Sequence, residues 1–149
     1  MQEIGSCEVL DYVNTVTHGA ASLKLRLRLR ATPASASTLR AELRIWLWGL
    51  GASADEILDL QLACSEAVTM VIEQAATPVA LIVDIEGKLE DEMVNVTIRD
   101  YGLCRQANRD GPETFSVALI QAVVDVFEVR AHADGRTIVL GRRLQCAGR

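Results

Sequence analysis

The sequence predicts an α/β (α+β) fold: a two-layer sandwich of about five mixed or antiparallel strands with three helices on one face. The first observation is a strict alternation of leucine with lysine or arginine over residues 23–30. This period of two indicates a strand with one apolar face. The second is that the other strand-like stretches, such as residues 93–99, are also apolar on one side only. Helices can therefore cover one face of the sheet, and the other face is expected to stay polar and open to solvent.

Composition places the chain among globular proteins and argues against several functions. The 149 residues are 50% hydrophobic and 23% charged, which suits one domain with an aliphatic core. A net charge of -5 argues against direct binding to nucleic acid. No apolar run reaches the length of a membrane span and no signal peptide is evident, so we expect a cytoplasmic protein without a membrane partner. The four cysteines form no CxxC pair, so neither a zinc nor a redox motif is indicated.

The chain is expected to contain one domain with short extensions. Residues 23–144 carry the periodic patterns of that domain. Residues 1–22 lack a clear pattern and end in a linker-like stretch, and we expect this arm to be mobile or to pack on a partner. Residues 145–149 form a C-terminal tail.

The first two helices are predicted by the spacing of apolar residues and by their ends. Leucines recur at helical spacing over residues 35–49. Trp48 falls outside that stripe, and an exposed indole suits an interface. The second helix, residues 53–76, begins with Ser53 and Glu56. A serine followed three residues later by glutamate is typical of a capping box, in which each side chain binds a free backbone amide of the first turn.

The second helix carries carboxylates along one edge of an apolar pattern. Its apolar residues at helical spacing include Leu58 and Leu62, which are expected to face the core. Glu66 lies among apolar neighbours, and Asp59 and Glu73 lie seven residues on either side of it. Two interpretations follow from the helical pattern alone: an ordinary solvated edge, or an edge with a function.

The remaining elements follow from alternation and turn signals. They are strands at 79–86 and 93–99, a loop at 100–112, a helix at 113–126, and strands at 127–132 and 136–142. A polar hairpin connection is predicted at residues 87–92, and a loop as long as 100–112 is usually functional. The side chains expected on the exposed face of the sheet are Lys24, Arg26, Arg28, Asp84, Asn95, Thr97, Glu128 and Arg130. The basic ones of the first strand are either a solvated face that resists aggregation or a patch for an acidic protein partner.

Two motifs in this order resemble a known superfamily. Residues 66–69 are Glu-Ala-Val-Thr on the second helix, and residues 100–102, after a strand, are Asp-Tyr-Gly. The pair resembles the nucleotide site of the GHKL (histidine-kinase-like) ATPase superfamily, and most of all its small bacterial anti-sigma factor serine kinases of the RsbW type. The similarity extends over residues 23–144 and agrees with the predicted two-layer fold.

The resemblance implies roles for several residues. Glu66 would be the general base of phosphoryl transfer. Asp100 would accept a hydrogen bond from the adenine amino group, and Gly102 would let the backbone turn against the ring. Thr137 stands in a Gly-Arg-Thr stretch similar to the family's last-strand Gly-x-Thr, and would lie at the adenine end.

Two departures from the family pattern concern magnesium and the phosphates. Met70 stands where the family carries a magnesium-binding asparagine, and a soft thioether is a poor magnesium ligand. Thr114 and Ser116, with Phe115 between them, stand where the family carries a Gly-x-Gly that surrounds the phosphates. Their hydroxyls can donate hydrogen bonds, but their side chains crowd the backbone. ATP and magnesium are therefore cofactors that the resemblance implies and that we expect to bind weakly or not at all, and no metal ligand is predicted.

The resemblance implies an anti-sigma-factor-like regulator of a bacterial partner-switching system, active in stress response. Its expected partners are a sigma factor, an anti-anti-sigma protein of the STAS type, and a second copy in a homodimer. Binding a protein needs a folded surface and no catalysis, so it survives erosion of the ATP site. The alternatives are an active serine/threonine kinase that phosphorylates the antagonist, against which Met70 argues, and a stand-alone ATP-binding sensor module.

Overall fold

The structure, a computed structural model, describes residues 24–30, 32, 34–74, 82–101 and 112–145, and for residues 74 and 112–114 the backbone alone. The elements in chain order are β1 (Lys24–Arg30), α1 (Ser35–Gly49), α2 (Ala54–Gln74), β2 (Ile82–Glu90), β3 (Met93–Asp100), α3 (Pro112–Val123), β4 (Val126–His132) and β5 (Gly135–Arg143). Their order and type agree with the sequence prediction. The predictions for residues 1–22, for most of the 100–112 loop and for most of the C-terminal tail fall outside the described residues.

The five strands form one antiparallel sheet in the order β1-β2-β3-β5-β4. The central register pairs Leu27 with Ile85, Ile85 with Ile98, and Ile98 with Ile138. Residues that pair across strands lie on the same face. This row of four buried side chains therefore crosses the sheet on one face, and it lies under the helix layer.

The two faces of the sheet differ as the alternation predicts. On β1 the leucines are buried and Lys24, Arg26 and Arg28 are exposed. On β3 the apolar positions are buried, and Asn95 and Thr97 lie half-buried between them. The helices cover the apolar face and pack against one another, so the predicted two-layer sandwich with three helices on one face is confirmed.

The capping box at the start of α2 is present and extends to the end of the sheet. The backbone N–H of Glu56 donates to Ser53 Oγ (3.1 Å), and the N–H of Ser53 donates to Glu56 Oε1 (2.8 Å). Glu56 Oε2 accepts a further bond from the N–H of Gln145 (2.9 Å). Burial alone would raise the pKa of Glu56, but the hydrogen bonds from Ser53 and Gln145 outweigh it, and the pKa is lowered. This carboxylate therefore ties the helix to the segment after β5.

The β2–β3 hairpin differs from the prediction. Strand β2 continues to Glu90, and the connection is a two-residue turn in which Asp91 and Glu92 have φ of 51° and 66°. The predicted six-residue connection at 87–92 is wrong because Gly87, which resembles a turn signal, lies inside the strand. A Cβ on Gly87 would lie 2.6 Å from the ring of Trp46, so the glycine makes room for the indole.

The buried face of α2 also differs from the prediction. Leu58 and Leu62 are exposed, whereas Ile57 and Leu60 are buried in the core. An α-helix turns about 100° per residue, so neighbouring apolar residues point in different directions. The helix contains enough apolar residues to supply two candidate stripes, and contacts with the sheet select one of them. The other stripe, which includes Leu58 and Leu62, leaves apolar side chains exposed on the outer surface.

Two basic side chains of β1, Arg26 and Arg28, are paired with carboxylates of the neighbouring strand. Arg26 contacts Glu86 (3.1 Å) and Arg28 donates two hydrogen bonds to Asp84 (2.8 and 3.0 Å). The bond from Arg28 lowers the pKa of Asp84, which also accepts a hydrogen bond from the Tyr101 hydroxyl (2.7 Å). Because these pairs are exposed, each is worth little stability. Their charges balance one another, so the solvated-face interpretation holds better than a bare patch for an acidic partner.

Within the described ranges, no helix combines the length and the apolar character needed to cross a membrane.

Candidate functional site

Three of the predicted site residues, Glu66, Ser116 and Asp100, lie on the elements that meet where α2 contacts α3, the end of β3 and the start of β5. On α2, Glu66 and Met70 lie one turn apart and therefore on the same face. Ser116 lies on α3, Asp100 ends β3, and Arg136 follows the first residue of β5. Three of these side chains, Ser116, Asp100 and Arg136, are buried polar groups, and buried polar groups are normally held by specific partners.

Glu66 and Ser116 are brought together across the two helices. The Ser116 hydroxyl donates to Glu66 Oε1 at 2.9 Å. Glu66 is half-buried and Ser116 is buried. The predicted base therefore lies within hydrogen-bonding distance of a hydroxyl, as general-base catalysis requires, but that hydroxyl is on the protein itself. One of the two carboxylate oxygens is thus occupied by an internal contact.

Met70 makes this part of α2 unsuitable for a magnesium ion. Its side chain is 1% exposed and belongs to the hydrophobic core. Magnesium requires near-octahedral coordination by oxygen, and here the helix offers one carboxylate and one buried thioether. In the described part of the chain, no three His, Cys, Asp or Glu side chains lie close enough together to hold a metal ion. The described residues of this stretch of α2 therefore lack the oxygen ligand that the resemblance implies at residue 70, and Glu66 is the carboxylate that they offer.

Asp100 and Arg136 form a buried ion pair on the face of the sheet that the helices cover. The two residues are 5% and 7% exposed. Arg136 Nε lies 3.8 Å from Asp100 Oδ2, and Arg136 Nη2 donates to the backbone carbonyl of Met70 at 3.5 Å. The guanidinium therefore lies between the residue expected to bind adenine and the residue at the expected magnesium position.

Gly135 allows β5 to approach Asp100 closely. Its φ is +143°, and a Cβ at this position would overlap the backbone carbonyl of Asp100. Any other residue would be strained in conformation and would also push the two strands apart. Gly135 thereby places the next residue, Arg136, directly beside the carboxylate.

Thr137 lies on the other face of the sheet. It pairs with Arg99, and its hydroxyl lies 2.9 Å from His132 Nε2 in an exposed contact. Asp100 and Thr137 therefore point to opposite faces, and the structure does not bring Thr137 to the cluster. Gly102 lies outside the described residues, as does the side chain of Thr114.

Arg136 is a site residue that the sequence motifs do not identify. In the Gly-Arg-Thr stretch it occupies the variable position. Alternation along β5 contained the signal, because Ile138 and Leu140 are apolar and Arg136 shares their face. A charged residue in phase with core residues at a strand end indicates a buried partner.

The other reactive group in this region is inert. Cys64 on α2 is a free thiol with no exposed surface. Burial raises the pKa of the Cys64 thiol to about 12, so the group stays protonated near neutral pH and is not a nucleophile.

The family is settled by comparison with known proteins. The family model for the histidine kinase-like ATPase domain matches residues 29–142, which is well over half of the chain. The chain belongs to this family. The matched range includes α2, β3 and β5, and with them Glu66, Asp100 and Arg136. Family membership is consistent with nucleotide binding.

A solved structure supports the finer resemblance. The crystal structure of the RsbU and RsbW domains of Rv1364c from Mycobacterium tuberculosis matches with a TM-score of 0.68 and 28% sequence identity. The match covers 83% of this chain and 33% of that chain, so this histidine kinase-like ATPase domain spans about a third of the length of the chain in that crystal structure. The predicted resemblance to RsbW-type proteins of the GHKL superfamily is confirmed. A search of curated proteins gives no significant match.

Proposed function

We propose that this protein is an anti-sigma-factor-like regulator of a partner-switching system, which binds a sigma factor and a STAS-type antagonist and makes weak or no use of ATP. In this proposal it acts in the cytoplasm as a homodimer. The observation that carries it is the apolar surface on the outer side of the helix layer. Trp48 and Ile45 on α1 are 72% and 63% exposed. Exposed apolar side chains in a contiguous patch mark protein interaction sites.

The shape and charge of this surface suit a protein partner. Ala41, Arg44, Ile45 and Trp48 lie at helical spacing on one face of α1 and border a common surface depression. The exposed Leu58 of α2 adds a further apolar side chain on the helix that packs beside α1. Trp and Arg are the residues that most often carry the binding energy of protein interfaces. An exposed helix face that carries both residue types favours protein recognition over small-molecule chemistry.

An active kinase is the second candidate. Glu66, half-buried beside a hydroxyl, favours it because the base of the family is retained. The buried thioether of Met70 argues against it, because phosphoryl transfer depends on metal ions to neutralise the developing charge. A regulator that binds other proteins without catalysis requires neither a general base nor a bound metal ion.

The test is coexpression with the sigma factors and STAS-domain proteins of the same genome, followed by light scattering on the purified complexes with and without magnesium-ATP. We expect a complex with one sigma factor, its displacement by one STAS-domain protein, and a dimeric mass for the protein alone. Trp48→Ser should weaken the sigma complex at least tenfold, whereas Val129→Ser, which removes an exposed apolar side chain on β4, should not. Absence of every such complex, or equal effects of both variants, contradicts the proposal.

A further inference from the structure

The buried ion pair of Asp100 and Arg136 is a feature that the proposed function does not require. Charged side chains are almost never buried at 5% and 7% exposure unless a specific partner holds them. Here the guanidinium lies between the Asp100 carboxylate and the Met70 carbonyl. Both partners are oxygen acceptors, so the positive charge of Arg136 is directed inward, toward acceptors of the protein itself.

The guanidinium offers Asp100 the kind of group that adenine would offer. An adenine amino group is a neutral N–H donor, and a guanidinium carries five N–H donors and a permanent charge. At 3.8 Å the contact of Arg136 Nε with Asp100 Oδ2 is an ion pair and is too long for a hydrogen bond, but a permanent positive charge at that distance attracts a buried carboxylate more strongly than a neutral amino group does. Arg136 is also held in place by the strand, so it competes at a high effective concentration with any free base.

We propose that Arg136 occupies the place beside Asp100 that the base of a nucleotide would take, and that it excludes adenine from this carboxylate. The inference rests on the proposed function and adds a physical cause for its weak use of ATP. This cause is separate from Met70, because it acts at the base and not at the metal. Removing the guanidinium therefore leaves the Asp100 carboxylate available to adenosine, which has no phosphates and needs no magnesium.

The opposite role, in which Arg136 replaces the lost magnesium and binds phosphates, fits the geometry less well. An arginine that binds phosphates directs its donors toward the ligand, whereas Nη2 of Arg136 donates to the Met70 carbonyl and Nε faces Asp100. The charge is already balanced by a buried carboxylate. The two roles predict opposite effects of removing Arg136.

The experiment is calorimetric titration of the full chain with adenosine, and with ATP in the presence and absence of magnesium. We expect Arg136→Ala to bind adenosine at least tenfold more tightly than the wild type, with no magnesium dependence. Arg136→Lys, which keeps a cation beside Asp100, should behave as the wild type. Methylguanidinium, which fits the space left by the side chain, should compete with adenosine in Arg136→Ala.

A thermal melt keeps the proposal testable if Arg136→Ala folds poorly. Arg136→Met has nearly the same length and no charge, and adenosine should raise its Tm but leave the Tm of the wild type unchanged. The proposal is overturned if folded Arg136→Ala and Arg136→Met bind adenosine no better than the wild type, or if either binds ATP more weakly. Neither of these results bears on the proposed complexes with a sigma factor and a STAS-type protein. Tight binding of magnesium-ATP by the wild type, in contrast, would contradict the proposed function, which includes weak or no use of ATP.

Discussion

Replacing Met70 by asparagine tests whether residue 70 stands at a lost metal position. The Met70 side chain is fully enclosed in the core. Asparagine removes part of that apolar burial and leaves an amide without partners, so the free energy of unfolding should fall by roughly 3–5 kcal/mol. Met70→Leu is the matched control, because a swap that conserves volume lowers it by less than about 1.5 kcal/mol. Urea denaturation of the three proteins measures both differences.

The second part of this test measures ATP binding, and it requires that Arg136 does not occupy the place beside Asp100. It therefore uses Met70→Asn and Met70→Leu, each combined with Arg136→Ala. Asparagine supplies an oxygen ligand one helical turn after Glu66, so magnesium should strengthen ATP binding in the asparagine protein alone. A ligand at 100 times its Kd raises the apparent stability by about 2.7 kcal/mol, which a thermal melt with and without magnesium detects.

Two results refute this reasoning. If Met70→Asn lowers the free energy of unfolding by less than about 1 kcal/mol, the side chain is not held in the core as the structure has it. If ATP stabilises both double variants equally with and without magnesium, residue 70 does not lie at the metal position. In that case Met70 is a packing residue, and the nucleotide interpretation of α2 is wrong at its metal end.

Two further predictions concern the elements that position the site. Glu56→Ala should lower the free energy of unfolding by about 1–3 kcal/mol at neutral pH. Because the folded-state pKa of Glu56 lies below its ordinary value of 4.5, its contribution is present above that value and is lost as the pH falls through the folded-state pKa. The difference in free energy of unfolding between wild type and variant, measured by urea titration, should therefore become smaller in acid. A difference that does not change with pH contradicts a stabilising role of the ionised Glu56. Gly135→Ala should be destabilised by at least about 1–3 kcal/mol through backbone strain, with the overlap against Asp100 in addition. Gly49→Ala, at the exposed end of α1, should be neutral or stabilised in the same melts, and equal melting of both variants is the contrary outcome.

Much of the fold could be predicted from residues that are close together in the chain. Alternation along β1 and β3 requires one buried face whatever the neighbours are, because the side-chain period of a strand is two. The capping box of Ser53 and Glu56 is a contact over three residues, so local sequence suffices to identify it. The same local rules misplaced the hairpin connection, because a glycine such as Gly87 is typical of a turn. Its actual role depends on the ring of Trp46, 41 positions earlier in the chain, which packs against it.

The motifs on α2 and at the end of β3 predict a place for the site, and the sequence alone is enough to recognise Met70 as a departure from the family pattern. The contacts within the site could not be foreseen, because they join residues far apart in sequence: Glu66 with Ser116, and Asp100 with Arg136. Thr137 shows the same limit, since its motif matches the family while its strand position turns the side chain to the open face. Periodicity and motifs record which residue types are present and which face each prefers. The partner of a buried charge is decided only when two strands and a helix are brought together, because at short range and low dielectric the surrounding groups determine which interaction is stronger.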